Sequence, residues 1–106
     1  IEELWQLWRF SNWVNFQKDT YTYDGNNNLI EFLLQGWDVS TWVDWMKITY
    51  TYDGNNNMIE KLQFWDGYNW VNYDLITYTY DANNNMIEEV EQRWEDSNWL
   101  NFLKNI

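Results

Sequence analysis

The sequence predicts an all-β fold, an antiparallel meander of about eight strands built from four hairpin repeats of 28–29 residues, as an open array rather than a closed barrel. Three observations predict it. The hexamers SNWVNF at Ser11, STWVDW at Ser40, YNWVNY at Tyr68 and SNWLNF at Ser97 recur at offsets of 29, 28 and 29 residues, and a period of that length marks a supersecondary unit copied along a chain. The first three periods carry the run TYTY, which alternates β-branched and aromatic residues in steps of two, the signature of a strand. No Pro interrupts any of these runs, so each can donate its full ladder of backbone hydrogen bonds.

The longer strand of each unit is expected over Asn12 to Tyr23, Thr41 to Tyr52, Asn69 to Tyr80 and Asn98 to Ile106. The shorter one is expected over Ile1 to Trp8, Leu29 to Trp37, Met58 to Trp65 and Met86 to Trp94. In MIEEVEQRW the spacing of Ile87, Val90 and Trp94 also fits a helix, but eight or nine residues between two turn signals favour a strand. Short links, RFSN, DVST, DGYN and EDSN, join short strand to long. The return from long to short is YTYDGNNN or YTYDANNN, in which Asp24, Asp53 and Asp81 can cap the turn. Asn27, Asn56 and Asn84 can adopt the left-handed backbone it needs. The units run approximately 1–28, 29–57, 58–85 and 86–106, within one array over 1–106.

One unit is a residue short. Ile30 to Trp37 and Ile87 to Trp94 span seven steps and Ile59 to Trp65 spans six, so the third unit is expected to have lost a residue inside that segment, which should flip side chains or remove a bulge. Simple alternation along Trp42 to Tyr52 puts Trp42, Met46, Ile48, Tyr50 and Tyr52 on one face. Val43, Trp45, Lys47, Thr49 and Thr51 take the other. Apolar rings on both faces argue against a barrel with a clean exterior.

Two Trp per unit are positional: Trp8, Trp37, Trp65 and Trp94 each stand five residues before Trp13, Trp42, Trp70 and Trp99. Tyr21 and Tyr23, Tyr50 and Tyr52, and Tyr78 and Tyr80 form a second recurring set. Ten Trp, eight Tyr and five Phe in 106 residues make aromatics the main apolar material. Their expected role is ladders along the array, and stacking on sugar rings is the other use such rows support.

Composition narrows function. With 17 acidic against 6 basic residues the net charge is −11, which repels phosphate backbones, so nucleic acid is not an expected partner. The chain has no His and no Cys, which removes imidazole and thiolate chemistry. No apolar run reaches the length of a membrane-spanning helix, and membrane insertion is not expected. DGNNN has the D-x-N-x-N start of a calcium loop. Counting from the three Asp, however, the sixth residues are Leu29, Met58 and Met86 and the twelfth are Gln35, Phe64 and Gln92, where Gly and a bidentate acid are required. Neither a metal nor another cofactor is expected, and no acid pair such as Glu88 and Glu89 stands outside the repeat as a catalytic site would. The expectation is a protein that is not an enzyme.

The period would be completed nine residues beyond Ile106, and the chain opens on Ile in mid-pattern, as a piece of something longer would. The last long strand therefore complements the first short one, which allows barrel closure or head-to-tail association into a homo-oligomer or filament. The second is favoured.

The stretches YTYDGNNNLIE, YTYDGNNNMIE and YTYDANNNMIE resemble the YD repeat of Rhs-type bacterial surface and toxin-shell proteins, with its Tyr-x-Tyr-Asp, small residue, Asn-Gly-x-Leu pattern. With the added WDGYNWVN segment, the unit is also similar to Trp-rich repeats of secreted Bacteroidetes-type proteins that often carry a type IX secretion signal. Tyr21, Tyr23 and Asp24, with Tyr50, Tyr52, Asp53, Tyr78, Tyr80 and Asp81, match the pattern; Asn27, Asn56 and Asn84 replace its usual Gly. The resemblance implies an extracellular or cell-surface β scaffold without catalytic residues of its own.

Overall fold

The computed structural model describes residues 1–53 and 57–106 and contains eight strands and no helix among them. The strands are β1 (Glu2–Arg9), β2 (Asn12–Tyr23), β3 (Leu29–Asp38), β4 (Thr41–Tyr52), β5 (Asn57–Trp65), β6 (Trp70–Tyr80), β7 (Met86–Glu95) and β8 (Asn98–Asn105). All begin and end within one residue of the expected positions, and the ambiguous MIEEVEQRW segment is strand β7. Each pairs antiparallel with its sequence neighbour in the order β1-β2-β3-β4-β5-β6-β7-β8, and the sheet does not close into a barrel.

Bulges set which way side chains point. Every short-to-long hairpin shifts register once, between Trp5 and Gln6 in β1, Leu34 and Gln35 in β3, Leu62 and Gln63 in β5, and Glu91 and Gln92 in β7. The extra residue on the long strand is Phe16, Trp45, Tyr73 or Phe102, an aromatic each time. One extra residue reverses the two-residue alternation. The simple division of β4 into faces is thereby corrected: Trp42 and Asp44 lie with Lys47, Thr49 and Thr51, while Val43 and Trp45 lie with Met46, Ile48, Tyr50 and Tyr52. The cation–π contacts of Lys18 with Trp42 and of Lys47 with Trp70 fit only this arrangement.

A second bulge accompanies the long-to-short return. It leaves Ile30 unpaired opposite Tyr23 and Ile87 unpaired opposite Tyr80, whereas β4 and β5 pair without a shift, Thr51 opposite Ile59 and Tyr52 opposite Met58. The residue missing from the third unit is this bulge. Ile59 therefore aligns with Glu31 and Glu88 rather than with Ile30 and Ile87.

The sheet is a single layer measuring 53 × 36 × 22 Å overall. Among the described residues no apolar side chain is buried, and the one buried polar group is Asp19, which accepts hydrogen bonds from Trp5 Nε1 at 3.2 Å and Gln17 Nε2 at 2.8 Å. One face carries the tryptophan pairs, Thr and Lys. The other carries the tyrosines and the apolar residues Phe32, Leu34, Ile48, Leu62 and Ile76, interrupted by Asp19 opposite Leu34, Asp74 opposite Leu62, and Glu60 and Glu91 opposite Ile76.

Candidate functional site: aromatic rows, hairpin turns and outer strands

The eight positional tryptophans form four cross-strand pairs beside the short-to-long turns. Trp8 faces Trp13, Trp37 faces Trp42, Trp65 faces Trp70 and Trp94 faces Trp99. Their ring centroids lie 5.2, 5.0, 5.3 and 5.1 Å apart at interplanar angles of 62–68°. This edge-to-face geometry places a positive ring edge on a negative ring face. Lys18 Nζ stands 5.0 Å from the Trp42 ring centroid and Lys47 Nζ 4.5 Å from that of Trp70, so a cation on one long strand reaches the ring on the next. Beside each pair a Gln of the short strand donates to an Asx of the long one: Gln6 to Asn15, Gln35 to Asp44, Gln63 to Asn72 and Gln92 to Asn101, at 2.8–3.0 Å. These rungs adjoin the aromatic bulges on the opposite face from the bulged ring.

The turns next to the tryptophans are not equivalent. Phe10 and Ser11, like Asp96 and Ser97, have positive φ at both central positions, the type I′ geometry that matches strand twist. Val39 adopts φ 54°, a strained conformation for a β-branched side chain. In the third unit Asp66 Oδ1 accepts the amide N–H of Tyr68 and Asn69, and Gly67 supplies φ 104°.

The long-to-short turns place the sequence-picked residues as caps. Asp24 Oδ1 accepts N–H from Asn26 at 2.8 Å and Asn28 at 3.0 Å, and Asp81 repeats this with Asn83 and Asn85. Asp53 accepts from Asn57 N–H at 2.9 Å. Asn27 and Asn84 have φ 63° and 62°; Asn56 lies outside the described residues. Backbone N–H donors hold the carboxyls of Asp24, Asp66 and Asp81 below the ordinary value. The carboxylates are thus turned onto their own loops. No cluster of three acid ligands occurs among the described residues.

The tyrosines lie on the face opposite the tryptophan pairs. Tyr21 meets Phe32 at 5.1 Å, with the carboxylate of Glu3 beside it raising its pKa. Tyr52 Oη donates to the Leu29 carbonyl at 3.0 Å and Tyr78 Oη to Glu60 at 2.9 Å. Burial, followed by the charge of Glu60, raises the pKa of Tyr50, and burial with the Glu60 bond raises that of Tyr78 further. Burial also raises Tyr52, so these hydroxyls remain donors at neutral pH. Tyr23 and Tyr80 stand at the turn-proximal ends of their strands, opposite Leu29 and Met86.

Sequence reasoning missed the bulge aromatics and the Gln–Asx rungs. Their signal was available, since the sixth residue of each aligned hexamer is aromatic and the fifth is Asn or Asp. The outer strands are the other distinctive feature. Every residue of β1 is exposed, and every residue of β8 except Trp99. Leu4, Leu7, Leu100 and Leu103 are 57, 40, 46 and 59% exposed.

No family model matches this chain, and no curated protein does. Solved structures do. A protein of unknown function from Bacteroides fragilis superposes with a TM-score of 0.77 at 13% identity, covering 91% of this chain and 73% of that one. A DUF3836 family protein from Bacteroides vulgatus gives 0.65 at 20% identity, covering 83% and 98%. One from Parabacteroides distasonis gives 0.55 at 22% identity, covering 79% and 88%. At these identities what is shared is the fold, an open antiparallel meander.

Proposed function

We propose that this protein is an extracellular structural element that assembles into a fibre or extended sheet by adding strands of the same repeat to its outer edges. The observation that carries this reading is the state of β1 and β8: exposed at every residue but Trp99, with apolar side chains at half of their positions, and without Pro. An outer strand of that kind offers unpaired backbone groups to another chain. Repeat geometry specifies the contact. Internal pairing sets Gln17 against Gly36 and Lys18 against Gln35, and the corresponding residues at the edges are Leu103 with Leu7 and Lys104 with Gln6. The same step that sets Lys18 over Trp42 would set Lys104 over Trp13 of the next copy. The contact joins two different edges, so each added copy presents a fresh edge to the next, and a fibre grows where the rotation between copies does not close a ring. The extracellular setting rests on the YD-repeat resemblance. Electron microscopy of the purified chain tests the proposal: fibres or extended sheets are expected, and uniform monomeric particles at all concentrations would refute it.

A further inference from the structure

The aromatic at each bulge covers the residue beside it on the short strand, and that residue differs in every unit. Phe16 and Leu7 line one groove. Tyr73 meets Phe64 edge-on at 5.1 Å and 82°, and the Arg93 guanidinium lies 3.8 Å from the Phe102 ring centroid. In the second unit the covered residue is Gly36, which is buried. A Cβ there would collide with Cε2, Cζ2 and Cη2 of Trp45, three consecutive atoms of one ring. The indole therefore lies face-down on the Gly36 backbone, which no larger residue would allow. Trp45 keeps 43% of its surface exposed, and this flat arrangement occurs in one unit of four.

Trp45 and Phe16, with Arg9, Asp38 and Val39, line a cavity of about 500 Å³, within the size range of small-molecule sites. Val39 is 90% exposed and holds φ 54°. Strain of this kind persists where the surroundings impose it, and it concentrates at ligand sites. The side chains of Arg9 and Asp38 enter no hydrogen bond or ion pair with described residues, which leaves a donor-only group and an acceptor-only group lining the same cavity as the two aromatic rings.

We infer that this groove binds a neutral glycan, with one pyranose ring stacked on Trp45. The C–H face of a sugar matches a flat indole. Hydroxyls, being both donors and acceptors, satisfy Arg9 and Asp38 together. An anionic ligand would meet Asp38 and a net charge of −11, and a cationic one would meet Arg9. The groove takes Leu7 and Arg9 from outer strand β1, but its Trp45 platform lies on β4 and Asp38 on β3, three and two strands in from that edge.

The test is calorimetric titration, with Trp fluorescence alongside, of neutral hexasaccharides built from glucose, mannose, galactose or xylose. At least one should bind saturably. The Gly36→Leu/Trp45→Phe variant installs the pairing found at Leu7 and Phe16, so it keeps the place filled and removes the platform; binding should vanish. Arg9→Gln and Asp38→Asn should each weaken binding about tenfold, as loss of one hydrogen bond to a charged group does. These two variants decide the matter if the double variant fails to fold by circular dichroism. Absence of saturable binding to any of the four, or affinity unchanged in the variants, would overturn the inference.

Discussion

Replacing Trp42 with Leu removes two contacts that the structure separates. Trp42 lies 5.0 Å from Trp37 at 67°, a pair expected to contribute about 1 kcal/mol beyond area burial. Lys18 stands 5.0 Å from the same ring, and a partly exposed cation–π contact adds about 0.5–1 kcal/mol. Trp42→Leu should therefore cost about 1.5–2 kcal/mol beyond the apolar area that Leu fails to replace. Trp13 provides the control, because it has its ring partner Trp8 at 5.2 Å and, among the described residues, no cation above it. Trp13→Leu should cost about 1 kcal/mol by the same reckoning. Urea denaturation at low protein concentration, as double-mutant cycles for Trp37 with Trp42 and for Lys18→Met with Trp42→Leu, reads each coupling directly. A Trp37–Trp42 coupling indistinguishable from zero, or equal costs at Trp13 and Trp42, would refute the reasoning.

The turns and bulges yield three more expectations. Asp24, Asp66 and Asp81 have folded-state pKa values below 3.8. The stability they contribute is therefore present above that value and lost as pH falls through the lower folded values. A pH series of melting temperatures should drop below about pH 4, and the Asp24→Asn/Asp66→Asn/Asp81→Asn variant should flatten that drop. Val39→Asn should raise stability by about 1 kcal/mol in denaturant titration, since Asn tolerates positive φ and Val does not. Deleting Ile30 should leave the fold intact by circular dichroism, because β5 already lives without that bulge; deleting Phe32 instead, mid-ladder, should destabilise the sheet markedly by inverting its faces.

The parts of this fold legible in the sequence are those that recur. The Trp hexamers gave the period, TYTY gave the long strands, and Asp-x-Asn-Asn-Asn gave the returns, because each depends on local chemistry that a turn or strand imposes on its own residues. The bulges were not legible as bulges. Phe16, Trp45, Tyr73 and Phe102 continue the hydrophobic pattern without a break, and only pairing across the hairpin reveals that they have no partner. That omission reversed the faces assigned to Trp42, Val43 and Trp45. The deficit in the third unit could be counted from the sequence, and a lost bulge was one of its two expected consequences, but the stretch from Ile59 to Trp65 was the wrong place for it, because Ile59 looks like Ile30 and Ile87 while its ladder partner Thr51 sets it level with Glu31 and Glu88. The Gly36–Trp45 contact was likewise hidden. A Gly inside a strand signals close approach, but naming the approaching ring required the bulge that turns Trp45 back over it.

Disulfide trapping between outer strands tests the proposed assembly most directly, and the absence of native Cys makes it clean. Repeat register sets Leu103 of one copy opposite Leu7 of the next, as Gln17 stands opposite Gly36 within the sheet. Lys104 points to the other face. Mixing Leu103→Cys and Leu7→Cys chains under mild oxidation should give cross-linked dimers, and mixing Lys104→Cys with Leu7→Cys chains should give few, because bridged residues must bring their Cβ atoms together. No cross-linking from the first mixture, or equal yields from both, would contradict strand-by-strand growth of the sheet.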